Sequence, residues 1–168
     1  LNGIPTSVAK IETCIMHAAN PEILQSESHS SKKPTTREQP SSELLNTGAC
    51  ELKGIGLPSQ NEWIIEGEAL VTNRPITFLG YVNRITGVIE EEGHPLDGRS
   101  ISGKILIFPR GSGSSVAPYV LMGLIYRGKG PLAVINTQVD QQTIPACSLL
   151  EVPYAYGFDD DPCLIINN

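Results

Sequence analysis

Between Pro109 and Val116 the chain carries two glycines, Gly111 and Gly113, and three serines, Ser112, Ser114 and Ser115, with Arg110 at the entrance. A serine hydroxyl is a weak base and a weak nucleophile unless its surroundings stabilise the oxyanion. Glycines allow a ligand to come close to the backbone. If a helix begins just after such a loop, its unpaired N–H groups and the positive end of its dipole attract a carboxylate or phosphate and make a hydroxyl held there easier to ionise. Two common phosphate loops do not fit. A P-loop requires a lysine that Gly113-Ser114-Ser115 lacks, and a dinucleotide fingerprint requires a third glycine where Val116 stands. A plainer role also remains open: Ser114 or Ser115 caps the helix, as serine often does.

The flanking residues supply the elements that such a loop needs. Lys104–Phe108 is a short apolar run suited to a buried strand. From about Val116 to Arg127 the apolar residues Val116, Val120, Leu121, Leu124 and Ile125 recur at helical spacing. Pro118 suits the first turn and Gly128 the stop. The reading is strand, glycine turn, helix.

Other chemistry-bearing residues point less sharply. Cys14, Cys50, Cys147 and Cys163 are widely spaced and form no C-x-x-C, so a zinc ribbon is unsupported and no metal ligands are assigned. An iron–sulfur cluster held by this chain alone would need three or four of them to converge. His94, before Pro95, is read as a structural loop residue, and Asp159–Asp161 as a hydrated turn before Pro162. Arg110 is either an anion contact or a solvated side chain.

The 168 residues suffice for one domain. A formal net charge of −6 argues against a nucleic-acid partner, which favours a basic patch. No apolar run approaches the roughly 20 residues of a membrane span, and the first residues lack a signal-peptide layout, so a cytoplasmic chain is expected. It begins with Leu1, which suggests a fragment or a processed product. Residues 1–62 form an N-terminal extension. Within it, Ile11–Ala19 reads as a short helix, Ser26–Ser42 as a flexible arm with almost nothing apolar, and Leu44–Leu57 as ambiguous. Residues 63–168 form the domain. Trp63–Thr72 is β-like with a bulge at Glu66-Gly67-Glu68, and Ile76–Val82 is a second strand candidate. Leu132–Asn136 and Val152–Tyr156 are further strands. Gln138–Leu150 suggests a short helix broken at Pro145, and the apolar Leu164–Ile166 suggests a strand without its partner. The fold class is mixed α/β with a largely β first half.

A set of segments in this order carries a resemblance: Glu66–Val71, Phe78-Leu79-Gly80, Thr86–Ile89, His94–Gly98, Ser102–Leu106 and Gly111–Ser115. From about Ile64 to the end the chain resembles the small, or swivel, domain of the aconitase X family. It departs at Tyr81, where a second glycine is expected, and at Asn83, near which an aspartate is expected. The resemblance implies a swivelling β/β/α domain and a hydro-lyase component, inactive without a large aconitase-like catalytic domain or subunit. It places an iron–sulfur cluster in that partner and not in this chain. It makes Ser114 the catalytic residue, a proton acceptor, with Gly113, Ser115 and Arg110 as substrate contacts. The small-molecule substrate is a hydroxy acid. The preferred reading is cis-3-hydroxy-L-proline, on the acidic Asp159–Cys163 ending. Phosphomevalonate, a non-catalytic anion-binding module and a degenerate fragment are the alternatives.

Overall fold

The computed structural model describes the backbone of residues 14–18 and, in full, residues 52–57 and 63–166. Its main element is a five-stranded sheet in the order β2-β7-β6-β5-β4. The strands are β2 (Ile55–Gly56), β4 (Ala69–Val71), β5 (Ile105–Phe108), β6 (Ala133–Asn136) and β7 (Tyr154–Tyr156). The pairs β4–β5, β5–β6 and β6–β7 are parallel, and β2 closes one edge antiparallel to β7. Parallel strands covered on both faces read as continuous apolar runs. That is why Ile105, Leu106, Ile107 and Phe108 are all buried.

Alternation sorts those side chains into two layers. Leu106 and Phe108 join Leu70 and Val134 beneath α2 (Ala117–Tyr126) and α3 (Ile144–Leu149), where they meet Leu121, Leu124 and Ala146. Ile105 and Ile107 face the other way with Val71, Ile135 and Cys163, the last from α4 (Pro162–Ile165). A second sheet pairs β1 (Cys14–Ala18) antiparallel with β3 (Trp63–Gly67), in register Cys14↔Gly67 through Ala18↔Trp63.

Several local expectations change. The segment read as a helix within Ile11–Ala19 contains strand β1. Ile76–Val82 is not a strand. It holds isolated bridges at Ile76 and Val82 around a broken helical turn, α1 (Phe78–Tyr81), where Gly80 adopts φ 98°. Its apolar residues Ile76, Phe78 and Val82 are buried, so the pattern came from packing under a turn rather than from a pleat. Asn83, which stands near the expected aspartate, accepts from Ile85 N and Thr86 N through Oδ1, the turn-closing work that an aspartate does. Pro145 lies in the first turn of α3 and so opens that helix, and Leu164–Ile166 belongs to α4 and its cap. The sheet reaches back past residue 63, since β2 lies before the expected domain start. The flexible arm expected at Ser26–Ser42 lies outside the described residues.

All four parallel strands end toward the same edge, where ligands of open α/β sheets bind. The loops after β4, β5 and β6 meet there.

Candidate functional site

The strand–turn–helix expected around the serines is present as β5, a loop, and α2 with Pro118 in its first turn. The loop is gripped from two sides. On one, Ile76 N donates to Arg110 O at 3.2 Å and Ser112 N donates to Ile76 O at 2.9 Å. On the other, Gly111 N donates to Asp140 Oδ2 at 2.9 Å, and Gln142 Nε2 donates to Gly113 O at 3.2 Å. Gly113 has φ +89°, a conformation that penalises any Cβ, and Thr77 Cγ2 lies 3.1 Å from where one would stand.

This grip leaves the outer side of the loop open. Ser114 and Ser115 are exposed. Among the described residues the N–H groups of Gly113, Ser114 and Ser115 meet no protein acceptor. Ser114 O accepts from Ala117 N at 2.9 Å, and Ser114 Oγ receives Val116 N at 3.4 Å, a long contact. Val116 itself occupies the cap position of α2, with no side-chain cap bond and no acidic residue in the first turn. Among the described residues Ser115 makes no cap bond, whereas Ser114 receives Val116 N on Oγ and Ala117 N on its carbonyl, the bonds of a serine cap just ahead of α2, so the capping role stands beside the chemical one. Three free amides, a helix N-terminus and a serine oxygen together suit an anion beside a proton acceptor. Arg110 is exposed and its Nη1 donates back to Gly111 O at 3.2 Å, so its guanidinium lies against the loop it precedes.

A buried polar cluster behind the loop was not among the expected site residues. Asp140, Thr143 and Asn136 are 5%, 0% and 0% exposed. Thr143 Oγ1 lies 2.7 Å from Asp140 Oδ2 and 2.9 Å from Asn136 Oδ1. Asn136 Nδ2 donates to Phe108 O at 2.8 Å, and Asp140 N donates to the Tyr154 hydroxyl at 3.2 Å. Burial is the main reason the Tyr154 hydroxyl is pushed up to about 12. The one local hint was an aspartate and a threonine in a stretch bounded by two strong strands; the partner, Gly111, lies 29 residues away.

The remaining candidates are structural in setting. His94 is buried, and its Nδ1 accepts from Leu96 N at 3.1 Å. Asp159 Oδ1 accepts from Lys53 N and Asp160 N, and Asp161 Oδ1 accepts from Cys163 N at the start of α4. Among the described residues no three His, Cys, Asp or Glu side chains gather as a metal site. Cys147 and Cys163 sit on opposite faces of the sheet. Burial, with a smaller push from Asp140 on Cys147 and from Asp161 on Cys163, raises both thiols to about 12, unlike thiolate ligands. These residues do not fit an iron–sulfur cluster. No helix among the described residues is long and apolar enough to cross a membrane.

With this geometry in hand, comparison with known proteins is specific. The family model for the aconitase X swivel domain matches residues 59–168. The phosphomevalonate dehydratase small subunit of Methanosarcina acetivorans is 40% identical over 97 residues, 58% of this chain and 67% of that protein. Its namesake from Pyrococcus horikoshii is 37% identical over 109 residues, 65% of this chain and 79% of that protein. The crystal structure of Thermococcus kodakaraensis aconitase X matches with a TM-score of 0.53 at 36% identity, covering 55% of this chain and 71% of that one. A solution structure of a UPF0107 protein matches with a TM-score of 0.53 at 35% identity, covering 61% and 76%.

Proposed function

The chain belongs to the aconitase X swivel domain family, and from that premise we propose that it is the small component of a phosphomevalonate dehydratase. The relatives that carry this name shift the preference away from cis-3-hydroxy-L-proline, which rested only on the acidic ending. The large aconitase-like partner supplies the rest of the site, and the chain alone is inactive. The iron–sulfur cluster that the family implies is assigned to that partner in this reading.

Phosphomevalonate carries a hydroxyl on the carbon β to its carboxylate. Its dehydration breaks a C–H bond α to the carboxylate, forms a C=C bond with that electron pair, and expels the β-hydroxyl as hydroxide, so that the proton taken from carbon and the hydroxide together make up the water lost. The role assigned to this chain is to accept the proton. Ser114 Oγ stands exposed at the mouth of α2, and the free amides of Gly113, Ser114 and Ser115 hold the substrate's carboxylate or phosphate. Arg110 lies at the same entrance as a second contact for negative charge. The observation that carries the reading is the exposed Ser114 hydroxyl at the mouth of α2, beside the amides of Gly113, Ser114 and Ser115 that meet no protein acceptor among the described residues, where the helix dipole favours negative charge.

The test is reconstitution with the large partner and turnover of phosphomevalonate. Ser114→Ala lowers kcat by about 10²–10⁴-fold, the range for a lost proton acceptor. Full activity of that variant overturns the proposal. Turnover of cis-3-hydroxy-L-proline in place of phosphomevalonate keeps the serine and rejects the substrate.

A further inference from the structure

The serine loop is tied to a residue that neither touches Ser114 nor faces solvent. Asp140 lies between β6 and α3 with its carboxyl group turned inward. That group receives Gly111 N at 2.9 Å and Thr143 Oγ1 at 2.7 Å on Oδ2, and Gln142 N at 3.2 Å on Oδ1. The contact with Gly111 is close-packed as well as bonded. A Cβ on Gly111 would lie 2.8 Å from Gln142 Oε1 and 3.0 Å from Asp140 Oδ2. Gln142 then reaches one step further along the loop, to Gly113 O. Asn136 anchors the same cluster to Phe108 O, the last residue of β5. The turn at 140–142 and the loop at 111–113 are therefore tied by bonds at both Gly111 and Gly113, and Ser114 is the next residue along.

We propose that Asp140 is a positioning residue for the dehydration: by fixing Gly111 it sets the direction of the free amides and of Ser114 Oγ before substrate arrives. This rests on the reading of Ser114 given above. A misplacement near 1 Å from outside the reacting groups is enough to slow an enzyme by about 10²-fold.

The experiment uses the full chain reconstituted with its large partner, and the full chain alone for amide exchange followed by NMR. Asp140→Ala lowers kcat by about 10²-fold with KM changed little, and Gly111 N–H loses its protection. Thr143→Ser retains the hydroxyl and the wild-type rate, whereas Thr143→Val slows turnover. Cys163→Ala, on the far face of the sheet, lowers the melting temperature without lowering kcat, which separates positioning from general loosening. If Asp140→Ala does not fold, Asp140→Leu carries the test, since it keeps the branched shape and offers Gly111 N no acceptor. A folded Asp140 variant with wild-type kcat overturns the proposal, and so does one whose Gly111 stays protected. Loss of activity in Ser114→Ala beside unchanged activity in the Asp140 variants rejects positioning alone. Full activity in Ser114→Ala rejects the serine reading instead, and Gly111 exchange still decides whether Asp140 holds the loop.

Discussion

Two glycine-bearing polar loops of the domain are built in opposite ways. The loop from Glu91 to Arg99 closes its backbone largely on itself: His94 N donates to Glu91 O, Asp97 N to His94 O, Arg99 N to Leu96 O, and Gly98 N to Ile89 O, while Glu91 Oε2 and His94 Nε2 stay buried without a hydrogen-bond partner among the described residues. Its histidine points inward and completes the turn. The serine loop engages Gly111 N and Ser112 N, and leaves the next three amides without a protein acceptor among the described residues, beside an exposed hydroxyl. A polar loop becomes a candidate site when neighbouring elements hold it from behind and its outer donors stay free. Residue type alone does not make that distinction, since a lone histidine attracts more notice than a serine.

The sharpest way to break this contrast is to exchange the two candidates. Ser114→Ala is expected to cost about 10²-fold or more in kcat, whereas His94→Ala, once folded, retains kcat in the reconstituted enzyme. Next in size is the grip itself. Gly111→Ala places a methyl group against Gln142 and Asp140 and is expected to destabilise by about 1–3 kcal/mol in urea titration, with reduced turnover. His94→Ala then tests the other loop. Removing the acceptor of Leu96 N is expected to cost about 1–3 kcal/mol in stability and to leave substrate kinetics alone.

The smallest effect concerns pH. The buried Cys147 and Cys163 thiols are raised from an ordinary value near 9 to about 12. An unfolded chain therefore releases these protons first as pH rises. The preference for the protonated thiol favours folding below pH 9 and is lost progressively toward 12, so stability falls across that window. Denaturation at pH 8 and pH 10 measures the sign. Alkylation with iodoacetamide at pH 8 is expected to be slow for both thiols until the chain unfolds.

The parts of the fold that could be read from sequence were those with local causes. The apolar run before Pro109, the glycine loop and the spacing through Leu124 specify strand, turn and helix within 20-odd neighbouring positions, and that unit formed as expected. Features with distant causes were misread or missed. Cys14–Ala18 takes strand form because it pairs with Trp63–Gly67, far along the chain. Ile76–Val82 alternates like a strand because Ile76, Phe78 and Val82 fill space beneath a turn that Gly80 redirects. Asp140 carries only the faint local mark of a polar pair between two strands; its meaning depends on Gly111 across the sheet edge. The exposed serine was visible in advance, and the buried residues that hold its loop were not.

The short pairing of Ile55–Gly56 with β7, extended by Leu57 N donating to Tyr154 O at 3.1 Å, has a bearing on how the chain is handled. It covers backbone donors and acceptors of Tyr154–Tyr156 that would otherwise form an unprotected sheet margin, the kind that recruits strands from other molecules. A version trimmed to begin at Trp63 keeps every residue of the serine loop and still exposes that margin, so it invites self-association along Tyr154–Tyr156.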